Sequence, residues 1–164
     1  VSTIEHGDES TEQIFKLMVE KKVALCPTLA AGDAISQYGG WKKGVDPEPA
    51  HITAKKKSFT AALKAGVTIC MGGDVGVFPH GENWREMLLM VEYGMKPIDV
   101  LRSATSINAD VFDYANKIGR IKKGLYADLI AISGDPSKDI KNIRSVLLVM
   151  KDGKIYKTPL VDGK

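Results

Sequence analysis

Cysteine, histidine and aromatic residues are all scarce in this 164-residue sequence, and so are long runs of one character. The two cysteines, Cys26 and Cys70, sit in apolar, β-branched runs (KVALCPTL and VTICMGG). That setting favours buried free thiols over a disulfide. Two isolated thiols are also too few for a zinc knuckle. No stretch approaches the roughly 18 unbroken apolar residues of a membrane helix, so a membrane is not an expected partner. No block of like charge exists either: 23 basic and 20 acidic residues are interspersed, for a net charge of +3. Nothing resembles a nucleic-acid-binding stripe. With 44% hydrophobic and 26% charged residues, the chain lacks the composition of a disordered protein. Its opening, VSTIEHG, has no initiator Met, basic segment or apolar leader. Residue 1 is therefore not expected to be a translation start. Cytoplasmic localisation is the default expectation, with an exported parent left open.

What is present is an alternation of apolar runs and helical patterns. Residues 1–5 form a β-prone run ending at His6-Gly7. Ser10 and Gln13 match a capping box before a helix that carries Ile14, Leu17 and Met18 on one face and runs to about Lys21. Val23 to Leu29 is a continuous apolar run, as in a strand buried on both faces. A long loop is expected from Ala30 to Ile52, because Gly, Pro and Lys punctuate it. A helix from Thr53 to Gly66 would put Phe59, Ala62 and Leu63 inward. A third strand, Val67 to Met71, ends in Gly72-Gly73-Asp74. Asn83 with Glu86 three residues on marks the start of another helix, with Leu88 and Val91 on its core face. Further helices are expected over 97–104 and 108–115. Beyond Gly119 the pattern becomes β: strands near 129–133 and 145–150, and an Asp152-Gly153 hairpin turn. Strands alternating with helices argue for a parallel α/β sheet.

Sites in parallel α/β sheets form at the carboxyl ends of the strands. Polar residues at those ends are therefore the candidates. The first strand ends in His6, and the third in Asp74, with His80 six residues later. Imidazole and carboxylate both suit a divalent metal such as zinc. Bland readings compete. A strand-end His often serves only as a hydrogen-bonded structural residue, and Asp74 after two glycines also suits a turn cap. His51, just before a helix start, reads as peripheral. Lys55-Lys56-Lys57 reads as a solvated helix face.

Four segments together resemble the amidohydrolase superfamily, nearest its imidazolonepropionase-like and Xaa-Pro dipeptidase-like members. They are STIEHGDES with KKVALCPTL, AALKAGVTICMGGDVGVFPHGEN, LRSATSINADVF, and IGRIKKGLYADLIAISGDP. The resemblance implies an α/β chain holding strands six to eight of a TIM-like (β/α)8 barrel over residues 1–117. Residues 118–164 would then form part of a composite β-sandwich. His6 would be the strand-six metal ligand. Asp74 would be the strand-eight metal ligand and the general base toward a water that attacks an amide carbonyl. His80 would face the substrate. The implied cofactor is a divalent metal, zinc in the first instance, with one or two ions in the complete enzyme.

The sequence departs from that pattern in lacking the first five strands, the His-x-His pair, the bridging Lys and the strand-five His. A whole barrel needs about 200–250 residues. The expected partners are a small amide or peptide substrate, the missing N-terminal half of the barrel, and a second copy of the chain through exposed sheet edges. The chain alone is expected to be inert. Two other readings stay open. One is a non-catalytic α/β module that binds through the 30–52 loop. The other is a one-metal, deaminase-like or imidazolonase-like enzyme in which His6 is not a ligand.

Overall fold

Three short parallel segments organise the first part of the chain. Strand β1 (Thr3–Glu5) pairs in parallel with β2 (Ala24–Cys26), Ile4 opposite Leu25. On the other side of β2, Leu25 bridges Ile69 in parallel, with Leu25 N–H donating to Thr68 O and Cys70 N–H to Leu25 O, each at 2.8 Å. β2 is thus central, and all three of its residues are buried. The computed structural model describes residues 1–158, in two compact units: Val1–Lys96, and Pro97 onward.

Helix α1 (Glu12–Glu20) joins β1 to β2. Its N-cap is Thr11 rather than Ser10: Thr11 Oγ1 accepts from Ile14 N–H at 3.3 Å. The one-residue shift turns Phe15 and Met18 inward and leaves Leu17 half exposed.

The expected 30–52 loop is mostly helix. Helix α2 spans Leu29–Tyr38, and α3 (Ala50–Ala65) starts three residues before Thr53. Only 39–49 remains irregular. Four residues of α2 are alanine or leucine, good helix formers, and its cap comes from a distant helix, which no local pattern reveals. The 30–52 segment therefore offers no long loop for a binding module to use. Ala62 and Phe59 of α3 are buried as expected, and Gly66 ends the helix at φ 81°.

Helix α4 (Trp84–Glu92) begins after Asn83, but the side chain of Asn83 makes no capping bond. Its buried face carries Glu86, Met87, Leu89 and Met90, so the core side is rotated from the expected Leu88 and Val91. β2 also dictates two glycines. A Cβ on Gly72 would lie 2.5 Å from Cys26 Sγ, and one on Gly7 would lie 2.6 Å from Leu25 Cδ1.

In the second unit, the two helices expected from sequence merge into one run: α5 (Pro97–Arg102), a π-helical turn over Ser103–Ile107, and α6 (Asn108–Val111). Ser103 Oγ donates to Val100 O and Thr105 Oγ1 to Leu101 O, at 2.8 and 2.7 Å. Hydroxyls bonding back to carbonyls loosen the helical ladder where the extra residue is accommodated. Gly119 (φ 88°) then packs against the run, where a Cβ would meet Ala109 Cβ at 2.5 Å. Strands β3 (Leu129–Ile132), β4 (Val146–Lys151) and β5 (Lys154–Lys157) form an antiparallel sheet in that order. Asp152 and Gly153 turn the last hairpin, both at positive φ. Asp128 Oδ1 braces that turn by accepting Asp152 N–H at 2.7 Å.

Candidate active site

The carboxyl ends of the three parallel segments share a backbone peculiarity. His6 (φ 64°), Thr28 (φ 49°) and Asp74 (φ 59°) all occupy the left-handed region, which non-glycine residues seldom adopt. Such strain persists only where the surroundings enforce it, and it concentrates at functional sites. All three residues line one cavity of about 330 Å³, together with Lys55 and His51. His6, Asp74 and His51 are themselves exposed. The structure thus brings His6 and Asp74 to one cavity. His80 is exposed on the loop before α4 and does not line this cavity.

The ring of His6 is oriented by Thr28. Thr28 Oγ1 lies 2.5 Å from His6 Nδ1 and donates to Pro27 O at 2.8 Å. A hydroxyl has one proton: with that proton on the carbonyl, the hydroxyl accepts from Nδ1–H and Nε2 keeps its lone pair for a ligand. His51 repeats the device. Ser36 Oγ donates to Gly32 O at 2.7 Å and lies 2.8 Å from His51 Nε2, a second hydroxyl set between a backbone carbonyl and a ring nitrogen.

Two α3 residues hold the turn after β1. Lys55 Nζ donates to His6 O at 2.9 Å and pairs with the Asp8 carboxylate, and Ser58 Oγ donates to Gly7 O at 3.2 Å. Lys55 is therefore not a solvated face residue: its side chain is only 12% exposed. The signal for it lay in spacing, since Ile52, Lys55, Phe59 and Ala62 fall on one helical face.

Beneath this rim lies Glu86, fully buried. Its Oε1 accepts Leu29 N–H at 3.1 Å and its Oε2 accepts Ala30 N–H at 2.7 Å. Burial pushes its carboxyl up to about 7, against the opposing pull of those two N–H groups and of Lys55. Burial likewise pushes the Cys70 thiol up to about 11, and burial with the neighbouring Glu5 carboxylate raises Cys26 further. Both thiols are free and inert structural residues, as expected.

The metal implied by the resemblance meets an incomplete donor set. Among the described residues, no three His, Cys, Asp or Glu side chains converge as a metal-ligating group. A catalytic zinc takes three protein ligands. The described residues do not by themselves fit such an ion.

Comparison with known proteins matches this chain to part of larger proteins. Ochratoxinase of Aspergillus niger is 31% identical over 170 residues, covering 96% of this chain but 34% of its own length. The chain thus spans about a third of the length of the curated relatives it matches. A crystal structure of a Xaa-Pro dipeptidase with methionine bound in its active site superposes with a TM-score of 0.84 and 35% identity, over 96% of this chain and 40% of that one. The crystal structure of the Aspergillus niger ochratoxinase superposes with a TM-score of 0.78 and 29% identity, over 96% and 37%. The fold is therefore a mixed α/β fold matching part of these larger structures. The model of the amidohydrolase family matches residues 6–156, and the chain belongs to that family.

Proposed function

We propose that this chain is the C-terminal portion of a hydrolase that cleaves an amide C–N bond in a dipeptide or cyclic amide. The observation that carries the reading is the convergence of His6, Thr28 and Asp74, each in left-handed backbone, at the ends of three parallel segments around one cavity. In this reading β1, β2 and residues 67–71 are strands six to eight of a (β/α)8 barrel, and residues 118–164 belong to a composite β-sandwich. Hydrolase relatives of two to three times the length support it.

Asp74 is the proposed general base, an exposed carboxylate that takes the proton of the attacking water. His6, held by Thr28, lines the same cavity. The divalent metal of the family, zinc by expectation, needs ligands from outside this chain. β1 pairs only with β2 among the described residues, so its outer edge is open to the rest of the barrel or to a second copy. The test is hydrolysis of Xaa-Pro dipeptides and N-acyl amino acids by the longer protein that contains this segment. Asp74→Asn is expected to lower kcat by about 10²–10⁴, and the 164-residue chain alone to show no turnover. Undiminished kcat in Asp74→Asn, or full turnover by the short chain, would overturn the proposal.

A further inference from the structure

Thr28 occupies the N-cap position of α2, where a threonine ordinarily turns its hydroxyl onto the backbone N–H groups of the first helical turn. Here it makes no such bond. Its hydroxyl is turned to Pro27 O and the His6 ring instead. The N–H groups of the first turn still need acceptors, because Leu29 and Ala30 are each 1% exposed. Glu86, from α4, supplies both.

We infer that Glu86 is a positioning residue for His6: by capping α2 from another helix, it releases the Thr28 hydroxyl to hold the imidazole. The geometry makes this a division of labour. With its hydroxyl turned to Pro27 O and the His6 ring, Thr28 makes no cap bond, and both N–H groups of the first turn go to Glu86. The same side chain also abuts the third strand end. A Cβ on Gly73 would lie 3.3 Å from Glu86 Cβ, so Glu86 packs beside the residue that precedes Asp74. One buried side chain thus caps α2 with its carboxylate and packs its Cβ beside the third strand end. The inference requires His6 to be held, not to react, so it stands or fails independently of the hydrolase reading.

The experiment is ¹⁵N NMR of the chain labelled at its three histidines, with His6 assigned by His6→Gln. The unaltered chain should show His6 with the proton on Nδ1. Glu86→Gln keeps the shape but leaves one carbonyl for two N–H groups. The Thr28 hydroxyl should then be drawn to the helix, and His6 should shift toward the Nε2–H form of free imidazole while His51 and His80 stay unchanged. Amide exchange at Leu29 and Ala30 should rise about tenfold or more, the loss of one charge-assisted bond. Thr28→Val gives a reading that does not depend on Glu86→Gln folding. It should release the His6 tautomer yet leave exchange at Leu29 and Ala30 within about twofold, because the cap is elsewhere. A folded Glu86→Gln chain with His6 unchanged would overturn the inference. So would a Thr28→Val chain in which the Leu29 and Ala30 amides lose protection.

Discussion

Glu86 should make the stability of the first unit depend on pH in an unusual direction. Its carboxyl is pushed up from an ordinary 4.5 to about 7, with burial the dominant cause. Between those values the folded chain holds a proton at this site that the unfolded chain has released. Stability from this group is therefore fully present below about pH 4.5 and is lost as pH rises through about 7. The size of the loss is on the order of 3 kcal/mol. Glu86→Gln cannot titrate and has no such slope. The assay is urea unfolding from pH 4.5 to 7.5, comparing the two chains at each pH so that every other titrating group cancels. Both tryptophans, Trp41 and Trp84, lie in Val1–Lys96, so their fluorescence reports the unit that contains Glu86. With urea slopes of about 1–3 kcal/mol per M, the midpoint of the unaltered chain should fall by roughly 1 M or more relative to Glu86→Gln across the window. A midpoint difference that stays flat would refute the reasoning. A difference of opposite sign would show that the Leu29 and Ala30 N–H groups outweigh burial.

Other outcomes follow from packing. Gly119→Ala, at φ 88° with Ala109 Cβ and Thr105 O within 3 Å of the new methyl, should cost the second unit more than about 2 kcal/mol in a thermal melt. Phe59→Ala, at a residue 1% exposed, should cost about 3–5 kcal/mol by urea unfolding. Leu17→Ala, on the half-exposed face of α1, should stay within about 1 kcal/mol in the same assay. Cys26 and Cys70 should resist iodoacetamide in the native chain and both react in denaturant, as counted by mass spectrometry.

The parts of this molecule legible in its sequence are those fixed locally. The Asp152-Gly153 hairpin, the Gly66 stop and the two strand-end residues His6 and Asp74 follow from residue type and position. The misread parts depend on partners far along the chain. Helix α2 looked like loop because its capping acceptor is Glu86, more than fifty residues away. The spacing pairs the same glutamate with Asn83, but its carboxylate is taken by the Leu29 and Ala30 N–H groups. A helix start at Thr53 makes His51 peripheral, whereas the start at Ala50 carries it to the cavity. Thr28 has a legible signal: it is a polar residue just past the end of an apolar run, as His6 and Asp74 are past theirs.

The two glycines beside the central strand carry an evolutionary consequence. Gly7 and Gly72 lie after different strands, yet each is kept small by a side chain of β2, Leu25 for one and Cys26 for the other. A larger residue at position 72 is admissible only after Cys26 has shrunk, and one at position 7 needs Leu25 to give way and must also adopt φ 65°. Substitutions at these positions should be accepted in a fixed order rather than independently, β2 changing first and the glycines following. The strand that carries no candidate catalytic residue of its own would then set how quickly both rims of the site can diverge.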